Sequence, residues 1–233
     1  IDSSNINFEE KYFTLHGNYL NNDDTNDAYH CYVSRDKKKI FKKNDKQYDR
    51  LSDHIGQVPL IIITPYDILL INEGSDERRK FFDAFISQFD NEYLLNVIHY
   101  NKLLNERNKL LKNVDSPIDT ELMDVINYRM SALGSVIFDK RKQLIRDISP
   151  VFQKYFSSIS PKDTFTIEYD SQLFKNDFYK TLTDTKERDT ILGYTSTGVH
   201  RDDFIFRMNG TPIKTFGSQG QRKSFLLSLK FSQ

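Results

Sequence analysis

The residues best suited to chemistry lie near the end of the chain, in Gly217-Ser218-Gln219-Gly220-Gln221. An amphipathic run follows, so these residues are predicted to begin a helix. Ser218 has the side chain of an N-cap, Gly220 permits close backbone approach, and the helix dipole favours an anion at this end. We therefore predict that a phosphate binds at Ser218, Gln219, Gly220 and Gln221. The short motif alone is equally compatible with a plain helix cap.

A second group of polar residues lies upstream of this turn. The chain there runs Gly198-Val199-His200-Arg201-Asp202-Asp203, and we predict that His200 to Asp203 lie in a strand. Alternation continues from Phe204 to Met208 and reaches the hairpin signal Asn209-Gly210. One histidine beside two aspartates is a weak metal signal, so we interpret His200 as structural and predict no metal site. No Ser-His-Asp spacing and no Cys/His cluster indicates another catalytic class.

This order of motifs resembles the bacterial RecF family of recombinational DNA repair, whose ATPase heads are akin to those of the SMC and Rad50 proteins. Three earlier stretches resemble the same family, and they are Thr64-Pro65-Tyr66-Asp67, Gly74 to Phe81 and Tyr100 to Leu111. Jointly and in this order, the stretches extend over most of the chain.

Two motifs of that family are missing. A P-loop needs Gly-x-x-x-x-Gly-Lys-Ser/Thr, and none of the nine glycines is followed by lysine. The Walker B strand of the family would follow the last helix, where the chain stops at Gln233. We therefore expect a middle piece of such a protein, with no catalytic residues of its own. Alone it should not hydrolyse ATP, because the phosphate cradle and metal ligands are absent.

The resemblance implies that the whole protein dimerises on DNA, with ATP and Mg²⁺ between the P-loop of one subunit and the Ser-x-Gly-Gln turn of its partner. Ser218, Gly220 and Gln221 would contact the γ-phosphate in trans. It also implies a weak ABC-type ATPase of DNA replication, recombination, repair and the SOS response to DNA damage. This ATPase would help to load the recombinase at single-strand gaps with RecO- and RecR-type mediators. The alternatives are a nucleotide-independent DNA- or protein-binding scaffold, or the head of another SMC-like ATPase.

The composition restricts the location and the type of binding surface. Lys and Arg total 33, as do Asp and Glu, so only a local basic patch can argue for nucleic-acid binding. A single cysteine, Cys31, fits a reducing compartment. No apolar run approaches the roughly 18 residues of a membrane span, and the first residues lack signal-peptide features. We expect a cytoplasmic protein without a membrane segment.

The first 50 residues combine strand signals with a basic cluster. Alternation at Tyr12–Leu15 and Tyr29–Val33, around a polar turn, predicts antiparallel strands that Ile40-Phe41 and Gln47-Tyr48 extend into a meander. We hypothesise that nucleic-acid phosphates contact the basic cluster. A lysine-rich edge that prevents strand pairing explains it equally well. The candidate residues are Lys37, Lys38, Lys39, Lys42 and Lys43.

The next segment predicts a strand and a helix. Pro59 to Thr64 is a continuous apolar run, which is typical of a fully buried strand. Ser75 is the predicted N-cap of a helix with phenylalanines at helical spacing. Arg78 and Arg79 on this helix are candidates for binding nucleic-acid phosphates. An ion pair at the interface with the helical lobe explains the two arginines equally well.

Two long helices are predicted to follow as an antiparallel hairpin. The first covers Asn91–Lys112, and the second begins at Ser116-Pro117 by capping rules and ends near Pro150. This hairpin resembles the arm lobe of RecF. Thr164–Tyr169 then predicts a returning strand, and residues 170–189 predict one further helix.

These elements predict an α+β fold with a β-meander and an antiparallel helical hairpin. The resemblance implies that ABC-type ATPase head pieces of α/β origin lie on either side of a helical arm lobe. Residues 1–73 would be the N-terminal part of the head and residues 74–160 the arm lobe. Residues 161–233 would return to the head with the signature motif.

Overall fold

The computed structural model describes residues 2–36, 38–58, 60–112 and 119–233, with the side chains of residues 2 and 3 excepted. The chain forms two compact units, Ile1–Val58 and Pro59–Gln233. The predicted α+β class is confirmed. The predicted three-segment division is untested by this split, and both of its boundaries fall inside the second unit.

The first unit contains an antiparallel four-stranded sheet with its strands in sequential order. The strands are β1 (Tyr12–Leu20), β2 (Asn26–Ser34), β3 (Lys39–Lys43) and β4 (Lys46–Gln47). Tyr29, Cys31 and Val33 are buried on one face of β2, as the two-residue period of a strand requires. Asn44 and Asp45, with φ angles of 49° and 64°, form the tight turn between β3 and β4. The predicted meander is confirmed.

The second unit packs two long helices against shorter helices and a three-stranded antiparallel sheet, ordered β5-β6-β7. Its elements are α1 (Leu69–Asn72), α2 (Ser75–Ser87), α3 (Asn91–Lys112), α4 (Thr120–Ile159), β5 (Phe165–Asp170), α5 (Phe178–Asp184), α6 (Lys186–Leu192), β6 (Asp203–Met208), β7 (Thr211–Pro212), α7 (Ile213–Phe216) and α8 (Gln219–Phe231). Within the described ranges, no helix combines the length and the apolar character that a membrane span requires.

An aromatic core sets the position of α8. Phe225 of α8 is fully buried, and its ring centroid lies 4.7 Å from that of Phe206 in β6 and 5.1 Å from that of Phe152 in α4. Phe165 of β5 completes the cluster at 5.4 Å from Phe225. Buried aromatic groups contribute large apolar areas and prefer such tilted contacts. The sheet and α4 therefore hold the N-terminus of α8 in a defined place.

The arm prediction is confirmed for α3 and corrected for α4. The two helices run antiparallel, since Lys140 pairs with Asp90 near one end and Arg107 donates to Asn127 near the other. The predicted start at Ser116-Pro117 lies outside the described residues. In the described chain α4 begins after the N-cap Asp119, whose carboxylate accepts from the backbone N–H of Leu122.

The predicted end of α4 near Pro150 is wrong, because the helix continues to Ile159. An interior proline costs about 3 kcal/mol by removing one backbone hydrogen bond and crowding the preceding turn. Phe152 and Phe156, beyond the proline, are buried in the aromatic core. Their burial offsets that cost, since each large buried side chain contributes roughly 1.5–3 kcal/mol.

Three further local predictions are wrong. The N-cap of α2 is Gly74 rather than Ser75, which is the first helical residue. Residues 170–189 form a short 3-10 turn and two helices instead of one helix, because Asp177 caps a new start at α5. The His200 segment is a 3-10 turn, Val199–Arg201, and β6 begins only at Asp203.

The predicted buried strand at Pro59–Thr64 is also wrong for Leu60 to Thr64, and Pro59 lies outside the described residues. Residues Leu60 to Ile63 are between 45% and 59% exposed, and none of the described strands pairs with them. An apolar strand becomes buried only where neighbouring strands and helices cover it. The apolar pattern therefore predicts that this segment can be buried. It does not predict whether strands and helices of this chain pack over it.

Candidate functional site

The Ser-x-Gly-Gln stretch forms the N-terminus of α8, as predicted. The Ser218 Oγ atom accepts a hydrogen bond from the backbone N–H of Gln221 at 3.2 Å. In return, the Gln221 Oε1 atom accepts one from the backbone N–H of Ser218 at 2.9 Å. These two bonds make a capping box, which fixes the conformation of the turn.

The capping box leaves several donors at this helix end. Because the Ser218 oxygen is the acceptor, its hydroxyl proton is free to donate elsewhere. The backbone N–H groups of Gln219 and Gly220 have no hydrogen-bond acceptor among the described residues. The helix dipole adds partial positive charge at the same place. One hydroxyl and two backbone amides are therefore available to an anion.

The side chain of Gln221, predicted to bind phosphate, makes its hydrogen bonds inside the chain. Its carbonyl oxygen serves the capping box, and its amide nitrogen donates to the Asp163 carboxylate at 3.2 Å. Arg222 is also engaged, because it donates to the backbone carbonyl oxygens of Gly217 at 3.0 Å and Lys214 at 2.9 Å. Both side chains support the turn, so a direct bond from Gln221 to a phosphate stays a prediction.

An open cleft of about 510 Å³ lies beside this helix end. Its walls are apolar, with Leu226 and Leu227 of α8 on one side and Ile63 and Ile68 on the other. Gln219 and Lys223 also line it, one helical turn apart. The candidate anion site therefore borders an apolar surface that continues into the exposed Leu60–Ile63 segment.

Arg78 and Arg79 of α2 make their contacts inside the chain. Arg78 forms a two-pronged ion pair with Asp203, with Nε–Oδ1 and Nη2–Oδ2 distances of 2.7 and 3.0 Å. Arg79 donates to the backbone carbonyl oxygen of Asp202 at 2.6 Å. Their side chains are only 12% and 14% exposed. These contacts favour the ion-pair interpretation, and phosphate binding by the two arginines stays a prediction.

The same aspartates join the arm to β6 through Arg141 of α4. Arg141 donates to both carboxylate oxygens of Asp83 at 2.9 Å, to the Val199 carbonyl oxygen at 2.7 Å and to Asp202 at 3.1 Å. Burial raises the pKa of Asp202, and Arg141 opposes that shift. The Asp202-Asp203 pair therefore anchors the two helices α2 and α4 at the start of β6.

His200 is structural, with both ring nitrogens engaged. Nε2 lies 3.0 Å from the Thr195 carbonyl oxygen, which can only accept, so Nε2 carries the proton. Nδ1 then accepts from the Tyr100 hydroxyl at 2.8 Å. Burial lowers the pKa of His200 to about 4, so the ring is neutral at pH 7. In the described residues, no group of three or more His, Cys, Asp or Glu side chains is placed to hold a metal ion.

The basic cluster of the first unit divides between the two faces of the sheet. Lys43 lies opposite Tyr29, and its ammonium pairs with Asp27 at 2.8 Å. The hydrogen bond from Lys43 is the main reason that the pKa of Asp27 falls to about 2, and Asn44 and Asn21 add to it. Lys42 is the next residue along the strand and therefore faces the other side. Lys38 and Lys39 are exposed, and Lys37 lies outside the described residues.

The sequence analysis missed three supporting residues, Asp163, Arg107 and Arg141. The two arginines are buried, and Arg107 is completely so. Several hydrogen-bond partners of these three residues lie 58 to 88 residues away in the chain, so local spacing carries no signal for them. The one available signal is position, because Arg141 continues the apolar stripe of α4, where an exposed charge would not fall.

Known proteins share the described fold, in which two long antiparallel helices pack against shorter helices and a small antiparallel sheet. A solved structure of the recombination mediator protein RecF with ATP in the RecFOR pathway matches with a TM-score of 0.90 and 27% identity, covering 97% of this chain and 64% of that one. A second, of RecF-ATPrS, matches with a TM-score of 0.89. No protein-family model matches the chain.

Curated sequence relatives match along the entire chain. The DNA replication and repair protein RecF of Azobacteroides pseudotrichonymphae is 42% identical over 233 residues, and RecF of Bacteroides fragilis is 44% identical over 234 residues. Each match covers 100% of this chain and 63% of the relative. The chain is similar to RecF proteins along its full length and spans about 63% of the length of these relatives.

Proposed function

We propose that the whole protein is a RecF-type mediator of DNA repair and recombination that binds DNA and dimerises around ATP and Mg²⁺. The turn Ser218–Gln221 of one subunit would meet the γ-phosphate of the ATP held by the other. The complete protein would be a weak ATPase that promotes recombinase loading at single-strand gaps with RecO- and RecR-type mediators. The observation that carries the proposal is the capped α8 terminus, with free donors, in a chain so similar to RecF.

The turn suits this role because it is organised before any phosphate arrives. The capping box holds the Ser218 hydroxyl and the N–H groups of Gln219 and Gly220 at one helix end. Donors that need no reorganisation stabilise an anion better than mobile ones. Gly220 also has space in front of it, because, apart from its chain neighbours and its own helix backbone, the Ser218 Oγ atom at 4.0 Å is the one described atom within 4 Å of an added Cβ.

The proposal predicts that Ser218→Arg abolishes ATP-dependent dimerisation without abolishing ATP binding. The bulky cation would fill the space where the partner's nucleotide should sit, whereas the P-loop of the same subunit is unchanged. Sedimentation velocity of the full-length protein, with and without ATP and Mg²⁺, measures the dimer. Nucleotide binding by the monomer is measured in parallel.

Ser135→Arg is the matched control, because Ser135 is exposed in the middle of α4, far along the helix from its C-cap Ser160, and adds the same charge away from the turn. The control should dimerise as the wild type does. If Ser218→Arg also dimerises normally, the turn is only a helix cap, and a nucleotide-independent scaffold becomes the better description.

DNA contact by the basic cluster is the second part of the proposal. Charge reversal at Lys37, Lys38 and Lys39 should weaken DNA binding and lower the salt dependence of the affinity by about one unit of log–log slope per lost phosphate contact. Lys42→Gln should weaken binding more than Lys43→Gln, because Asp27 already neutralises Lys43. Unchanged affinity after the charge reversal would contradict this part. Arg78 and Arg79 contribute only if they leave Asp203 and Asp202.

A further inference from the structure

Asp163 joins three elements that are distant in the sequence. It lies between α4 and β5, and its Oδ2 atom accepts from the hydroxyl of Ser160, the C-cap of α4, at 2.8 Å. Its Oδ1 atom accepts from the side-chain amide of Asn209, in the β6–β7 turn, at 3.0 Å. The third donor is Gln221 of α8, at 3.2 Å from Oδ2. The bonds to Asn209, Ser160 and Gln221, in that order, lower the pKa of Asp163.

This carboxylate determines which way the Gln221 amide points. A carboxylate only accepts, so it selects the orientation in which the Gln221 nitrogen faces Asp163. The Gln221 oxygen is then directed at the backbone N–H of Ser218, as the capping box requires. In the flipped orientation the amide oxygen would face the carboxylate, and the Ser218 N–H would lose its acceptor. Asp163 therefore acts on Ser218 through Gln221.

We propose that Asp163 is a positioning residue for the phosphate-binding turn and couples that turn to the C-terminal end of the arm helix α4. The coupling to nucleotide binding rests on the proposed function. The chain of contacts is direct, from Ser160 to Asp163, then to Gln221 and Ser218. A displacement of the end of α4 is thereby transmitted to the turn.

The first test compares Asp163→Ala with Lys162→Ala, an exposed neighbour, in the full-length protein. The ATP concentration for half-maximal dimerisation should rise about three- to tenfold for Asp163→Ala, the effect expected for one hydrogen bond. It should be unchanged for Lys162→Ala. A fall in melting temperature with an unchanged ATP requirement would show a merely structural role and overturn the proposal.

A double-mutant cycle tests the route through Gln221. If Asp163 acts through that side chain, adding Asp163→Ala to Gln221→Ala changes the ATP requirement by less than about twofold, since contacting residues that act together are not additive. Fully additive effects, or a Gln221→Ala variant that behaves as the wild type, would overturn the proposal.

Hydrogen exchange separates this proposal from the proposed function. Without nucleotide, Asp163→Ala should speed exchange of the Ser218 backbone N–H, which loses its fixed acceptor, whereas Lys162→Ala should not. Unchanged exchange at Ser218 would refute the positioning role even if ATP drives dimerisation. Faster exchange in a protein that fails to dimerise with ATP would support the positioning role and contradict only the proposed function.

Discussion

Replacing Arg107 should be among the most destabilising single substitutions in the second unit. Arg107 of α3 is completely buried and donates to Asn127 at 2.8 Å, Asp189 at 2.7 Å, Thr195 at 2.8 Å and the Leu182 carbonyl oxygen at 3.1 Å. Asp189 is equally buried. Arg107→Met keeps much of the side-chain volume but removes all of these donors.

The size of the expected destabilisation follows from the Asp189 carboxylate, which stays buried without its guanidinium partner. Asp189 would keep the two donors of Ser196 on its Oδ1 atom but lose the guanidinium on Oδ2. Breaking a buried ion pair by removing one partner costs about 3–5 kcal/mol, because a charge is left uncompensated. We therefore expect the unfolding free energy to fall by about that amount, as judged from the same class of buried pairs.

Urea unfolding followed by circular dichroism at 222 nm measures this loss. In the described residues the α-helices all belong to the second unit, so the signal reports on that unit. Lys109→Met, on an exposed position of the same helix, is the control and should cost less than about 0.5 kcal/mol. The double variant Arg107→Met/Asp189→Asn should recover part of the unfolding free energy that Arg107→Met loses. A loss below about 1 kcal/mol for Arg107→Met, with an unchanged m-value, would refute the reasoning.

Two further predictions concern pH and packing. The folded-state pKa of His200, about 4, lies below its ordinary value of 6.5, so unfolding takes up a proton between these values and stability falls as the pH drops through that range. This shift lowers the unfolding free energy by about 2 kcal/mol between pH 7.5 and pH 5, which urea unfolding should show as a shallower loss in His200→Gln than in the wild type or His99→Gln. Gly134→Ala should cost about 1–3 kcal/mol, because its Cβ would overlap the Phe178 ring. Gly74→Ala, with no atom within 4 Å, should cost less than about 1 kcal/mol in the same assay.

Periodic and capping signals predicted the elements whose own residues decide their form. The meander, the full extent of α3, the β6–β7 hairpin and the α8 start at Ser218 all follow from local patterns. In the hairpin, Asn209 and Gly210 adopt φ angles of 49° and 78°, which their residue types tolerate. The helix end predicted near Pro150 failed because tertiary packing outweighs local preference there, whereas the helix start after Asp177 is a local capping signal that the prediction of one helix over residues 170–189 overlooked.

The position of the candidate site in the chain could be predicted from the sequence, but the hydrogen bonds among its side chains could not. Its position follows from Ser218 and Gly220, whereas the use of the Gln221 amide depends on Asp163, 58 residues away in the chain. A glutamine next to a phosphate-binding turn has the same local signature whether it faces the ligand or a carboxylate of its own chain. Only the fold distinguishes these two cases.

The buried charges explain why the arm and the neighbouring strand behave as one unit. Arg107 connects α3 to α6 and to the Thr195 segment, and Arg141 connects α4 to α2 and to Asp202. Such networks are costly unless every member is satisfied, so they tolerate few alternative geometries. Apolar packing alone would let the long helices slide by small amounts at little cost. The arginines therefore restrict the angle between the arm and β6, the strand whose Phe206 packs against Phe225 of α8.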